Sequence, residues 1–152
     1  ESGASGDIFS GDVVKLTSGF VLQAGATDAP LGVFGGAEYQ DTTGEVIFTR
    51  RFVSGTTTLG SANIKAYVYA DPNIVYEAQF TGTPSQADVG KVHTISTTAG
   101  DTNNNRSKEG VTTTTASGIA KLVAYVDRPD NTANAEFARG YFIFPASTYG
   151  ND

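Results

Sequence analysis

The sequence predicts an all-β (mainly β) protein: a single compact β-barrel or sandwich-like domain of about nine strands, with one short helical turn and a flexible N-terminal arm. Three observations carry this expectation. Apolar residues recur at period two in short runs rather than at helical spacing. Glycine, 18 of 152 residues, punctuates those runs. Threonine is abundant and charged residues make up only 17%, which suits turns and β-branched strands. A chain of this length buries roughly 70% of its unfolded surface, so no metal or disulfide staple is needed.

Residues 1–9 read as the arm, because Glu1 to Gly6 is too poor in side chain to pack and leads into the apolar pair Ile8-Phe9. Residues 10–152 form the β-rich domain. Asp12 to Leu16 and Phe20 to Gln23 bracket Thr17-Ser18-Gly19, the pattern of a hairpin. Leu31 to Phe34 follows a loop, and Gly35-Gly36 lets the backbone kink before Ala37-Glu38-Tyr39. Val46, Phe48 and Phe52 share one parity. Ile64, Ala66, Val68 and Ala70 face one way, and Lys65, Tyr67 and Tyr69 the other. Ile74 to Phe80 alternates again after Asp71-Pro72-Asn73, so these two strands are expected to pair as a hairpin around that turn. Thr83-Pro84-Ser85-Gln86 reads as a helix start with Thr83 as N-cap, ended by Gly90. Ala99 to Gly110 has almost no apolar anchor and reads as an exposed, mobile loop. Ile119 to Val126 fits a helical stripe, yet Gly118 before it and Asp127-Arg128-Pro129 after it favour a strand. Tyr141 to Phe144 is the last strand.

Composition removes whole classes of chemistry. With no cysteine there is no disulfide, thiol catalysis, zinc finger or iron–sulfur cluster. A net charge of −6 and a pI near 4.6 argue against a phosphate-binding surface, so no nucleic-acid partner is expected. No apolar run approaches the roughly 20 residues that span a membrane, and no membrane partner is expected. The first residues show no signal-peptide pattern, and the absence of methionine reads as a processed or trimmed start.

His93 is the sole residue with an imidazole, and it lies in a strand-like run without a nucleophile elbow nearby. It reads as an ordinary residue whose replacement by alanine leaves the fold nearly unchanged. The sixteen acids are scattered, mostly in turns, which turn chemistry explains without a substrate. Asp101 to Asn105 offers oxygen ligands but lacks the spacing of a calcium loop. Asn105-Arg106-Ser107 matches the N-glycosylation pattern, a short motif with a high chance rate. The expectation is a protein that works by contact, with no catalytic residue, no cofactor and no metal.

The order of segments then suggests with what. Gly11-Asp-Val-Val-Lys-Leu16 opens the fold, followed by Pro30-Leu-Gly-Val33 and Glu38-Tyr-Gln-Asp41. Ala70-Asp-Pro72 leads to Val75-Tyr-Glu-Ala-Gln79, with Asp88-Val-Gly-Lys91 shortly after. This succession, over roughly residues 8 to 98 and more loosely 119 to 146, resembles the head decoration (cement) proteins of tailed bacteriophages. The resemblance implies a non-enzymatic virion protein on the outer capsid surface, bound to the major capsid protein and commonly assembled as a homotrimer. The Asn-rich loop and the run Thr112 to Thr115 match nothing in that family.

Two sets of residues are expected to make the contacts. Ile8 and Phe9, at the end of the arm, are the capsid-binding candidates, because an arm can add as a strand to an exposed sheet edge. Lys65, Tyr67 and Tyr69, on one strand face, are the subunit-contact candidates, since aromatic residues are enriched in interface cores. The rival reading is an extracellular or cell-surface β-sandwich adhesion or carbohydrate-binding module, which composition alone allows.

Overall fold

The computed structural model describes residues 6–145. Thirteen strands run through them. They are β1 (Ile8–Phe9), β2 (Val13–Thr17), β3 (Phe20–Gln23), β4 (Gly32–Gln40), β5 (Val46–Thr49), β6 (Arg51–Phe52) and β7 (Lys65–Tyr69). Then follow β8 (Tyr76–Gln79), β9 (Val92–His93), β10 (Ile95–Ser96), β11 (Gly110–Val111), β12 (Ala120–Tyr125) and β13 (Arg139–Ile143). Two single 3-10 turns, Leu59–Ser61 and Gln86–Asp88, are the helical segments among the described residues. The chain is all-β and sandwich-like, with several sheets and no closed barrel.

The larger sheet has the order β3-β2-β4-β5, with β7 paired to β4. The second sheet runs β8-β13-β12-β9. Two small ribbons, β1-β6 and β10-β11, complete the body. Because side chains alternate along a strand, neighbouring valines of β2 serve opposite cores. Val13 joins Phe80, Leu122, Phe142 and Phe144 between the two large sheets. Val14 joins Ile8, Phe34, Ala37 and Phe52 on the other side, where the β1-β6 ribbon covers the larger sheet.

Local chemistry explains the elements that formed as expected. β2 and β3 close with Thr17 opposite Phe20, so the turn is only Ser18-Gly19. Both turn residues have positive φ, 50° and 83°, which matches the twist of the flanking strands. Ile119 to Val126 is extended, with β12 pairing both β13 and β9. The 3-10 turn falls in the expected stretch, but its cap is Ser85 rather than Thr83. Ser85 donates its backbone N–H and its hydroxyl to the Asp88 carboxylate, and the Asp88 N–H donates back to the Ser85 carbonyl.

Four expectations change. The strands before and after Asp71-Pro72-Asn73 do not pair with each other: β7 pairs β4, and β8 pairs β13. The turn, held by the Asn73 N–H donating to Asp71, is therefore a corner at which the chain leaves one sheet for the other. Alternation predicts which residues share a face, but it carries no information on which strand lies alongside. The loop at 99–110 is exposed over Thr102 to Asn104, as expected, but docked at its shoulders, with Ser107 donating its backbone N–H to the Ser10 carbonyl and Gly100 set against the Phe9 ring. His93 is fully buried, edge-on to Phe80 at 5.3 Å between centroids, with Nδ1 3.1 Å from the Thr112 carbonyl. It is a core residue, so its loss leaves a hole that the expected tolerance did not allow for.

The fourth change concerns the arm. Residues 1–5 lie outside the described residues, but Ile8 and Phe9 are already β1, paired to Phe52 and Arg51 and almost fully buried. Arg51 lies 5.0 Å over the Phe9 ring and is ion-paired to Asp7. The apolar surface expected to seize a partner is spent inside the chain, so Ile8 and Phe9 are structural residues of the β body.

Candidate functional site

The face built by β4, β5 and β7 gathers four large, exposed apolar side chains, Val46, Phe48, Tyr67 and Tyr69, side by side on one sheet. It begins with two glycines. Gly35 falls at the register shift between Phe34 and Gly36 in the β4–β7 ladder. A Cβ at Gly35 would stand 3.0 Å from the Tyr69 ring, and one at Gly36 would stand 2.8 Å from the Thr49 carbonyl and 3.2 Å from the Phe48 ring. The bare backbone is thus a floor against which the rings of Phe48 and Tyr69 lie. Tyr67 completes the set, its ring 5.6 Å from that of Phe48 and tilted by 54°. The three rings, with Gly35 and Val68, line an open groove of about 460 Å³.

Exposure on this face is high for such side chains: Val46 64%, Phe48 63%, Tyr69 61% and Tyr67 45%. One polar cluster borders it. Tyr67 donates its hydroxyl to Glu38 at 2.7 Å, and Lys65 donates to the other Glu38 oxygen at 3.3 Å. The Tyr67 bond, and after it Lys65, holds the Glu38 carboxyl below its ordinary range, and the same bond raises the Tyr67 phenol. Tyr76 anchors the far end from below, donating its hydroxyl to the Tyr69 carbonyl at 2.6 Å. Among the described residues β7 pairs only with β4, so it is an edge strand beside the rings.

Lys65, Tyr67 and Tyr69 lie together on one exposed face, as their alternation requires. Phe48, Val46 and Glu38 belong with them and were not singled out from the sequence. Their parity was readable, since Val46 and Phe48 alternate. Their placement opposite β4 depends on register, Glu38 facing both Phe48 and Lys65, and register is a tertiary fact. Phe52 shares that parity yet is buried, because the ladder breaks at Arg50 and Phe52 pairs with Ile8 instead. The capsid-binding candidates Ile8 and Phe9 are not part of this face.

The other candidates are occupied locally. The Asp101 carboxylate accepts the Asn103 N–H at 2.9 Å, and Asn104 accepts that of Arg106 at 3.0 Å, so these oxygens close their own turns. The Ser107 hydroxyl of the glycosylation pattern accepts the Glu109 N–H at 3.0 Å. Among the described residues no group of three or more His, Cys, Asp or Glu comes together as a metal site. The exposed face therefore offers ring surfaces, one carboxylate–ammonium pair and an edge strand of the described sheet, which are the means of recognition by contact. No family model, characterised protein or solved structure matches this chain.

Proposed function

We propose that the protein is a structural virion protein that binds the outer surface of a tailed-phage capsid and stabilises it; because Ile8 and Phe9 are buried, the β4-β5-β7 face, whose Lys65, Tyr67 and Tyr69 the sequence offers for subunit contact, is taken instead as the capsid contact surface. The observation that carries this reading is the exposure of Val46, Phe48, Tyr67 and Tyr69 side by side on a rigid sheet. Burying such a set releases roughly 25 cal/mol per Å² of apolar surface, and aromatic residues dominate the centres of interfaces. The partner is the major capsid protein, and the copies assemble as a homotrimer, as the family resemblance implies. Three copies bound at one lattice point make even modest contacts strong together. The net charge of −6 suits a basic capsid patch, chiefly for encounter and register.

A second reading rests on the same face. Aromatic rings over a groove with a carboxylate at the rim also form a platform for a sugar ring, as in a cell-surface carbohydrate-binding module. Mixing the protein with undecorated phage heads separates the two. Saturable co-sedimentation with heads at a fixed copy number supports the capsid reading. Binding to glycans with none to heads overturns it.

A further inference from the structure

A second feature lies at the opposite end of the larger sheet, where the docked loop crosses the corner between β1 and β2. Asp12 is fully buried, and Glu109 reaches in from the loop. The Glu109 Oε2 accepts the Val13 N–H at 2.8 Å, and its Oε1 accepts the Gln23 side-chain amide at 2.8 Å. The same Gln23 nitrogen lies 3.4 Å from Asp12 Oδ2, which also accepts the Phe9 N–H at 2.8 Å, and the Ser107 side chain stands beside the Asp12 carboxyl. One amide thus bridges two acids from distant parts of the chain. The other Asp12 oxygen, Oδ1, is buried with no hydrogen-bond partner.

Among the described residues no cation is paired with either acid. Lys15, on β2, is bonded to Asp28 at 2.7 Å, Arg51 holds Asp7, and Lys108 lies 3.8 Å from Asp101. Arg106, the remaining cation of the loop, is exposed. Among the described residues no ion pair reaches Asp12 or Glu109. A buried and a half-buried negative charge sharing one amide are costly, and an orphaned oxygen costs less on a neutral acid than on a carboxylate.

We propose that Asp12 and Glu109 form a proton-held clasp that fastens the 99–109 loop onto the β1–β2 corner, closed while the pair retains one proton and loosened when both acids ionise. Burial, with the Asp12 charge adding to it, pushes the Glu109 carboxyl up to about 7, and burial raises Asp12 as well. The clasp therefore works across the neutral range. The loop is what it controls: Ser107 bonds Ser10, Glu109 bonds Val13, and Gly100 covers Phe9.

Hydrogen exchange read by mass spectrometry from pH 5.5 to 8.5, corrected for intrinsic rates, tests this on the whole chain. The expected result is a fall in protection of at least tenfold for peptides covering 99–110 and 7–14, with β12 and β13 unchanged. In Glu109→Gln that pH dependence disappears, and this comparison assigns the response, since the one histidine sits on β9. Carboxyl ¹³C signals from the six glutamates give an independent readout, with Glu109 titrating near neutrality and moving to lower pH in Asp12→Asn, where burial still holds it up but the neighbouring charge is gone. Wild-type protection independent of pH, an unchanged pH response in Glu109→Gln, or a Glu109 signal that titrates near 4.5 overturns the proposal.

Discussion

Gly100 lies flat against Phe9: a Cβ at Gly100 would stand 2.3 Å from Cγ of that ring and 2.8 Å from the Arg106 carbonyl oxygen. The contact joins the Asn-rich loop to the first strand and seals a residue that looks, in the sequence, like the sticky end of an arm. Neither the ring, packed under Arg51, nor the backbone oxygen has room to give. Gly100→Ala is expected to cost about 1–3 kcal/mol in urea unfolding, the range for overpacking a filled site. A midpoint equal to wild type shows that the loop does not hold Phe9.

Emptying the two kinds of aromatic position separates core from surface. Phe142→Ala removes a fully buried ring between the large sheets and is expected to cost about 3–5 kcal/mol. Phe48→Ala removes an exposed ring and is expected to stay within about 0.5 kcal/mol of wild type. Comparable losses in the two variants, measured by thermal unfolding, show that the β4-β5-β7 face is part of the core.

His93→Ala tests the buried imidazole. It loses the edge-on contact with Phe80 and the bond to Thr112 and leaves a hole, so a loss of about 2–5 kcal/mol is expected. Denaturation at matched protein concentration reads it. An unchanged midpoint returns His93 to the ordinary role that the sequence suggests.

Stability should slope in opposite directions on the two sides of pH 4. The Asp7 carboxyl, held low first by the Ser54 N–H and also by Arg51, loses its proton more readily folded than unfolded. Its contribution is complete above the unfolded value of 3.8 and disappears as pH falls through the lower folded value. Glu109 behaves oppositely: unfolded it ionises near 4.5, folded near 7, so its contribution is complete below 4.5 and is lost as pH climbs to 7. Unfolding free energies of Asp7→Asn and Glu109→Gln across pH 2 to 8 should flatten the acid and neutral limbs respectively. Swapped effects contradict the assignment.

Which residues share a strand face was legible in the sequence, and which strands lie side by side was not. The alternation from Lys65 to Tyr69 and the Ser18-Gly19 turn are local properties, decided by side-chain parity and by φ. The corner at Asp71-Pro72-Asn73 reads the same whether the next strand folds back or crosses to another sheet. The clasp was invisible for a related reason. Asp12, Gln23 and Glu109 look like three ordinary polar residues until the loop closes, bringing them together and burying Asp12. For the candidate face, Tyr67 and Tyr69 could be named from their strand, whereas Phe48 and Glu38 needed the register of β4 against both neighbours.

The central claim is that the aromatic sheet face attaches the protein to a capsid. The most direct measurement is occupancy on undecorated heads, titrated with wild type and with Tyr67→Ser/Tyr69→Ser at matched salt. Both side chains are exposed, so the variant should fold as wild type does. The account predicts that its half-saturation concentration rises at least tenfold. Superposable occupancy curves for the two proteins would contradict it.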